Sequence, residues 1–298
     1  MKYDVIIIGA GMSGVAAGIR LAMYDKKVCV LEKHAIPGGL NSYYSKDGRR
    51  FDVGLHAMTN FVDRKVKSAP LNKLLRQLRL RYDDLDLVEQ SYSTIDFPDV
   101  TLKFGNSFTL LEDEVARAFP SQIDGFRRLV ECIRDYNEVS LTADYISSRQ
   151  TLQQYLSDPM LIDMIFCPVM YYGSAVEEDM DFSQFCIMFK SIFFEGFSRP
   201  QKGVRTLTRL LQSRLKGCGA DCKFRHGVKQ ILSKNGRAYA VELENGEILE
   251  ADKIISSVGL RETYNLIDPT LKEQEKFAVG KLSFVESLPV LDKNPKDL

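Results

Sequence analysis

The sequence predicts an α/β protein: a parallel sheet that carries a three-stranded antiparallel meander, joined to a second lobe of mixed α+β type. Three observations predict it. A β-branched run from Val5 to Ile8 passes at once into Gly9-Ala10-Gly11-Met12-Ser13-Gly14 and then into a helix-forming stretch from Val15 to Ala22. Two Asn-Gly pairs, 235–236 and 245–246, separate strand-like segments further on, and Asn-Gly is a strong short hairpin signal. Between these ends, leucines and phenylalanines recur at helical spacing.

An uninterrupted apolar run such as Val5 to Ile8 suits a strand covered on both faces. In the helix that follows, Gly14 and Gly18 stand four apart and allow close backbone packing. After the polar turn Asp25-Lys26-Lys27, Val28 to Leu31 reads as a second buried strand ending in Glu32, which completes a βαβ unit. Leu71, Leu74, Leu75, Leu78 and Tyr82 predict an amphipathic helix over 71–82, followed by strands within 92–104 and 107–111. Ser121 to Asp124 has the pattern of a capping box, opening a helix whose apolar face is Phe126, Leu129, Val130 and Ile133. The aromatic and methionine-rich stretch Met160 to Phe197 reads as core. Leu207, Leu210, Leu211 and Leu215 mark another helix, closed by Gly217-Cys218-Gly219. Segments 227–232, 238–243 and 248–251 then form the meander, and Lys253 to Gly259 reads as a buried strand rejoining the parallel sheet. The expected organisation is a first nucleotide-domain segment at 1–62, an inserted lobe at 63–200, a second nucleotide-domain segment at 201–262, and a further lobe segment at 263–298. In that last segment Leu282 to Glu286 is strand-like.

At 298 residues and 45% hydrophobic, the chain can bury a large core. Forty basic side chains balance forty acidic ones, so no global field draws it to nucleic acid. Local asymmetry is another matter: Arg64 to Arg81 holds seven basic residues and no acidic one, which suggests a peripheral contact with an anionic membrane. The six cysteines are scattered without metal spacing, so Cys218 and Cys222 read as ordinary thiols and no metal site is expected. Met1-Lys2-Tyr3-Asp4 leads directly into a strand, leaving no room for a signal peptide, and no apolar stretch reaches the ~20 residues of a spanning helix. A cytoplasmic setting follows as the expectation. Ser-His-Asp order, H-E-x-x-H and a P-loop are all absent, which argues against hydrolase chemistry.

The glycines have separate tasks: Gly9 makes the tight turn, Gly11 lets backbone amides approach a pyrophosphate, and Gly14 permits close helix–strand packing. The helix beginning there aims its amide donors at the anion. Glu32, eighteen residues beyond Gly14, is placed to accept hydrogen bonds from ribose hydroxyls. A 2′-phosphate would be repelled by that carboxylate, so NADP is disfavoured. NAD and FAD share the ADP half and are not separated by these residues.

The continuation does separate them. Glu32-Lys33-His34-Ala35-Ile36-Pro37-Gly38-Gly39-Leu40-Asn41-Ser42 and Phe51-Asp52-Val53-Gly54-Leu55-His56 together resemble the phytoene desaturase-like branch of the flavoprotein amine oxidase superfamily, which also includes carotenoid isomerases and retinol saturases. The likeness extends through Gly203–Leu215, Gly219-Ala220-Asp221, Val228 and Ile254 to Gly259. It implies a Rossmann-type FAD-binding domain with FAD as cofactor, and hydride exchange with C–C or C=C bonds of a small apolar, polyene or lipid-like substrate; amine oxidation is the sister activity. By the same resemblance Gly9, Gly11, Met12, Ser13 and Gly14 hold the pyrophosphate, Glu32 and Lys33 lie at the ribose, and Gly38, Gly39, Leu40 and Ser42 follow the next cofactor section. His56 comes towards the flavin, Val228 meets the adenine through its backbone, and Ser256 ends the returning strand. No catalytic residue is assigned. Leu40 stands where members often carry arginine, and Lys202-Gly203 stands for the later Gly-Gly. The family's late Gly-Asp segment has no counterpart, since none of the twenty glycines is followed by aspartate. The competing expectation is therefore a catalytically silent nucleotide-binding chain, or one completed by a partner chain.

That expectation gives a direct outcome. The purified 298-residue chain binds ADP but comes off the column colourless, because loss of a few contacts at about 1.4 kcal/mol per tenfold drops flavin retention below what purification preserves. Absorbance before and after adding FAD checks it, and a yellow, stoichiometrically loaded monomer would contradict it.

Overall fold

The computed structural model describes residues 2–54, 57–140, 142, 144–174, 176–268 and 287–293. The chain opens with β1 (Lys2–Ile8), α1 (Met12–Ala22) and β2 (Val28–Glu32), followed by a hairpin of β3 (Tyr43–Lys46) and β4 (Arg49–Asp52). Next come α2 (Pro70–Leu78), β5 (Leu87–Glu89), β6 (Ser93–Phe97) and β7 (Val100–Phe104). Five helices follow: α3 (Phe108–Ala118), α4 (Ile123–Asp135), α5 (Ser148–Gln153), α6 (Pro159–Met170) and α7 (Phe182–Phe189), the last running into a π-helical turn at Lys190–Phe194. The chain returns through β8 (Ser198–Pro200), α8 (Val204–Gly217) and β9 (Asp221–Phe224), then β10 (Val228–Lys234), β11 (Arg237–Leu243), β12 (Ile248–Ser256) and α9 (Leu260–Leu266).

The main sheet has the order β10-β11-β12-β1-β2-β9. Its β12-β1-β2-β9 part is parallel, and β10, β11 and β12 form the antiparallel meander. Alternation along β1 explains why both faces are dry. Val5 and Ile7 pack with Val15 and Ile19 of α1 and Leu211 and Leu215 of α8, whereas Ile6 and Ile8 pack with Val241, Leu243 and Leu249 of the meander. An apolar run without polar interruption is what a strand with two covered faces requires.

The inserted lobe has its own core. Phe126, Leu129, Val130 and Ile133 of α4 are all buried there, with the phenylalanines of α7 and the π turn. Phe189 is fully buried and its ring lies 4.8–6.3 Å from those of Phe108, Phe185, Phe193 and Phe194. Within the Met160 to Phe197 stretch, Leu161 to Val169 and Met180 to Phe193 supply the core, whereas Tyr171 and Tyr172 between them are exposed. Asp158 and Asp181 cap α6 and α7, each accepting from backbone amides of the first turn.

Several local expectations are corrected. Residues 107–111 are not a strand: they open α3, because Leu111 and Val115 bury one helical stripe, and this tertiary gain outweighs the β-like composition of Phe108-Thr109-Leu110. The 71–82 helix stops at Leu78, where Arg79 turns left-handed (φ 52°) and Leu80 N–H bonds back to Leu75 O at 2.9 Å. Ser121 caps nothing; Gln122 is the N-cap, without a side-chain cap, and its amide instead bonds Ser157. The third meander strand and the returning strand are a single strand, β12, since no turn residue interrupts Ala251-Asp252-Lys253 and Asp252 pairs with Lys2 at 2.7 Å. Its Lys253–Ser256 end is half-exposed rather than buried. The strand-like run at 282–286 lies outside the described residues.

Phe189→Ala removes the centre of the phenylalanine cluster. An expected loss of about 3–5 kcal/mol in unfolding free energy is checked by urea denaturation, with ADP binding as a separate readout.

Candidate functional site: a dinucleotide cradle

At the C-terminal end of β1 the chain makes a turn that only glycine fits. Gly9 has φ 98°, its N–H donates to Leu31 O at 2.8 Å, and a Cβ there would lie 2.8 Å from Val258 Cγ1. At Gly14 a Cβ would lie 2.1 Å from Gly9 O. Gly11 is the N-cap of α1 and offers no side-chain cap, so the first turn presents backbone amides to an anion at the helix's positive end. Ser13 is exposed, with its hydroxyl in that first turn.

Glu32 is buried at the end of β2, and the backbone holds both of its oxygens. Oε2 accepts from Ala10 N–H at 2.8 Å, and Oε1 accepts from His34 N–H at 2.9 Å with His34 Nδ1 at 3.0 Å. A carboxylate fixed in this way keeps further lone pairs free for ribose hydroxyls. Gly38 and Gly39 lie against the first glycine loop: Gly38 N–H donates to Ala10 O at 2.9 Å, Gly38 bridges Gly11, and a Cβ on Gly39 would come 3.2 Å from Gly11 Cα. Leu40 is 88% exposed beside this crossing, and Ser42 leads into β3 with its carbonyl accepting from Val53 N–H. Val228 opens β10 on the Glu32 side, where His226 N–H donates to Glu32 O at 2.8 Å. The two glycine motifs, Glu32 and the start of β10 therefore converge on one cradle.

Other named residues sit apart from it. Lys33 is exposed and faces Glu244 at 4.0 Å. Ser256 bonds Thr263 Oγ1 at 2.6 Å, and the neighbouring Ser257 is the one that reaches the glycine turn, donating to Ile8 O at 3.0 Å and Gly9 O at 3.2 Å. His56 lies outside the described residues. Cys222 is an ordinary thiol in β9, pushed up to about 11 by burial. Among the described residues no group of three His, Cys, Asp or Glu side chains could hold a metal ion, and no helix is long and apolar enough to cross a membrane.

Sequence reasoning missed Asp52. Its buried carboxylate accepts from Val204 N–H at 3.1 Å and Arg199 Nη2 at 2.8 Å, so it caps α8 and joins the nucleotide side to the returning chain. A Cβ at Gly203 would lie 2.2 Å from Asp52 Oδ2, which explains the glycine before that helix. The signal was the Phe51-Asp52-Val53-Gly54 motif, which shows a carboxylate but not its distant partner.

The residues present fit the ADP half of FAD, through a helix end without a side-chain cap, a backbone-lined crossing and a preset carboxylate. Glu32→Gln turns an amide NH2 towards either Ala10 N–H or His34 N–H, setting donor against donor. Calorimetric ADP titration is expected to show about tenfold weaker binding with unchanged circular dichroism, and equal affinity would remove Glu32 from the site.

Comparison with known proteins agrees with this geometry. Residues 12–290 match the family described as flavin containing amine oxidoreductase. Prolycopene isomerase 1 of an Oncidium hybrid cultivar is 25% identical over 328 residues, covering 100% of this chain and 52% of the relative. The neurosporene-forming phytoene desaturase of Rhodobacter capsulatus is 27% identical, covering 87% of this chain and 53% of the relative. The chain thus spans about half the length of these relatives. An oxidoreductase from Methanosarcina mazei shares the fold, with a TM-score of 0.70 at 21% identity over 92% of this chain and 63% of that one. FAD is the cofactor, and the chain belongs to the flavin containing amine oxidoreductase family.

Proposed function

We propose that the chain works as an FAD-dependent oxidoreductase that exchanges hydride with C–C or C=C bonds of an apolar, polyene or lipid-like substrate. One observation carries the choice of an apolar substrate. A cavity of about 360 Å³ lies beside α1, lined by Met12, Ala16, Met58, Leu75 and Leu211 among others. Met12 belongs both to the cradle's first turn and to this wall. An apolar ligand can therefore sit next to the nucleotide grip. The named activities of the similar proteins, prolycopene isomerisation and phytoene desaturation, concern substrates of that chemistry.

In this reading the glycine turn and first-turn amides bind and orient the pyrophosphate, Glu32 fixes the ribose, and the leucine-lined wall excludes water. FAD, when bound, supplies the two-electron exchange. All six cysteines are free, which suits a reducing cytoplasm.

The test mixes the protein with excess FAD under anaerobic conditions and supplies either a detergent-dispersed polyene or a panel of amines. Expected is a change in polyene double-bond number or geometry by chromatography, with the amines untouched. Oxidation of an amine with an inert polyene would favour the sister activity. Inertness towards both, with ADP still bound, would favour a silent nucleotide-binding chain.

A further inference from the structure

α2 covers the apolar cavity with one face and shows a different chemistry on the other. Leu71, Leu75 and Leu78 line the cavity, while Lys73, Leu74, Arg76 and Gln77 are exposed. Leu74 does both, lining the cavity while 48% exposed, and so does Tyr172 from the end of α6 at 44%. The mouth of the cavity is therefore an apolar opening on the surface. Tyr171, 74% exposed, stands beside it in sequence, and Val66, 42% exposed, lies in the strip that leads into α2.

From Arg64 to Arg81 the charge is one-sided, with Asp63 and Asp86 exposed just outside that segment and Glu177 and Glu178 exposed beyond Tyr172. Arg64 pairs with Asp83 at 2.9 Å and Arg81 reaches Asp84 at 3.8 Å, so those two arginines are neutralised. Lys65, Lys67, Lys73, Arg76 and Arg79 are all exposed, and among the described residues none has a carboxylate within 4.0 Å. Arg76 instead donates to the carbonyl of Lys67 at 2.9 Å, which draws the approach strip and the helix into one patch. Five cations without a carboxylate partner among the described residues thus share α2 and its approach strip with the exposed Leu74 and Val66, and an anionic bilayer matches both, its headgroups taking the charges and its interface the apolar groups. Tyrosine is suited to that boundary, being apolar along its ring and polar at its tip.

We propose that α2 and its approach strip dock on an anionic membrane surface, with Leu74 and Tyr172 seated in the headgroup layer and the cavity opening towards the acyl chains. The inference stands apart from the catalytic reading, because it needs only the charge and shape of this patch. It also sets a direction: an apolar molecule dissolved in the bilayer would meet the cavity without crossing water.

The chain contains no tryptophan, so Leu74→Trp places a single reporter at the opening. With vesicles of phosphatidylcholine and phosphatidylglycerol, its emission is expected to shift to the blue and to be quenched by brominated acyl chains. Pure phosphatidylcholine should leave it unchanged. In co-sedimentation of the otherwise native chain, Lys65→Glu, Lys67→Glu and Lys73→Glu together are expected to lower affinity for the anionic vesicles roughly a hundredfold. Added salt should do the same. Lys234→Glu on the remote meander is the control and should bind as the parent does. No sedimentation of the parent chain at low salt overturns the proposal. So does binding that the triple reversal leaves intact, or a bound Leu74→Trp protein whose emission is neither shifted nor quenched. Circular dichroism of each variant establishes that any loss of binding comes from a folded chain.

Discussion

Three stretches of backbone cross within van der Waals reach of one another above β1 and β2, and the rest of the nucleotide side depends on that crossing. The turn at Gly9, the start of α1 and the Gly38-Gly39 strip meet where side chains would collide: at Gly14 the carbonyl of Gly9 occupies the place of a Cβ, and at Gly39 the α-carbon of Gly11 nearly does. Close contact has a second effect. It leaves main-chain amides as the lining of the groove, and amides in a fixed array need no reorganisation when an anion arrives. Glu32 is part of the same lock, because Ala10 N–H is bonded to its carboxylate while Ala10 O takes the amide of Gly38. Residue 10 thus ties Glu32 to the second glycine pair.

The two lobes solve the burial problem differently. On the nucleotide side the sheet is the middle layer, and successive residues of β1 serve opposite faces. In the inserted lobe aromatic rings fill the space between α4, α6 and α7, with Phe189 at their centre. The junction between lobes combines apolar and polar contacts, with Leu78 of α2 buried against Leu211 and Leu215 of α8. Asp52, Arg199 and the first amide of α8 share one carboxylate, and Asn60 donates through its side chain to Glu195. Such polar contacts have directional geometry and add specificity to the apolar ones.

Where pattern and structure coincide, a period or a turn chemistry decides locally. Val5 to Gly14 shows strand, turn and helix in its own residue pattern, and the Asn-Gly pairs close β10–β11 and β11–β12 as hairpins. Where they part, the decision is made at a distance. Phe108 to Leu111 is helical because Leu111 and Val115 reach a core built from other helices. Leu80 leaves the α2 period because its amide closes the helix on Leu75. The cradle's glycines were legible for the same reason as β1, since Gly9, Gly11, Gly14, Gly38 and Gly39 act through backbone shape, and Glu32 was legible because it ends the strand beside them. Asp52 and Ser257 were not, since each acts on a segment about 150 to 250 residues away that spacing does not reveal.

The inserted lobe enters and leaves through a paired neck. Met58 and Ser198 exchange both main-chain hydrogen bonds, at 2.7 and 2.9 Å, while Asn60 N–H reaches Ser191 O and Phe61 N–H reaches Gly196 O. The whole lobe is therefore a loop of about 140 residues whose ends are clasped. Loop-closure entropy grows only with the logarithm of length, so doubling or halving such a loop changes the cost by about 0.6 kcal/mol. A clasp of this kind lets the lobe gain or lose helices with little penalty to the sheet beneath it. The nucleotide grip and the lobe's contents can accordingly diverge at separate rates, one held by steric closeness at a few glycines and the other constrained mainly to return its ends to the same place.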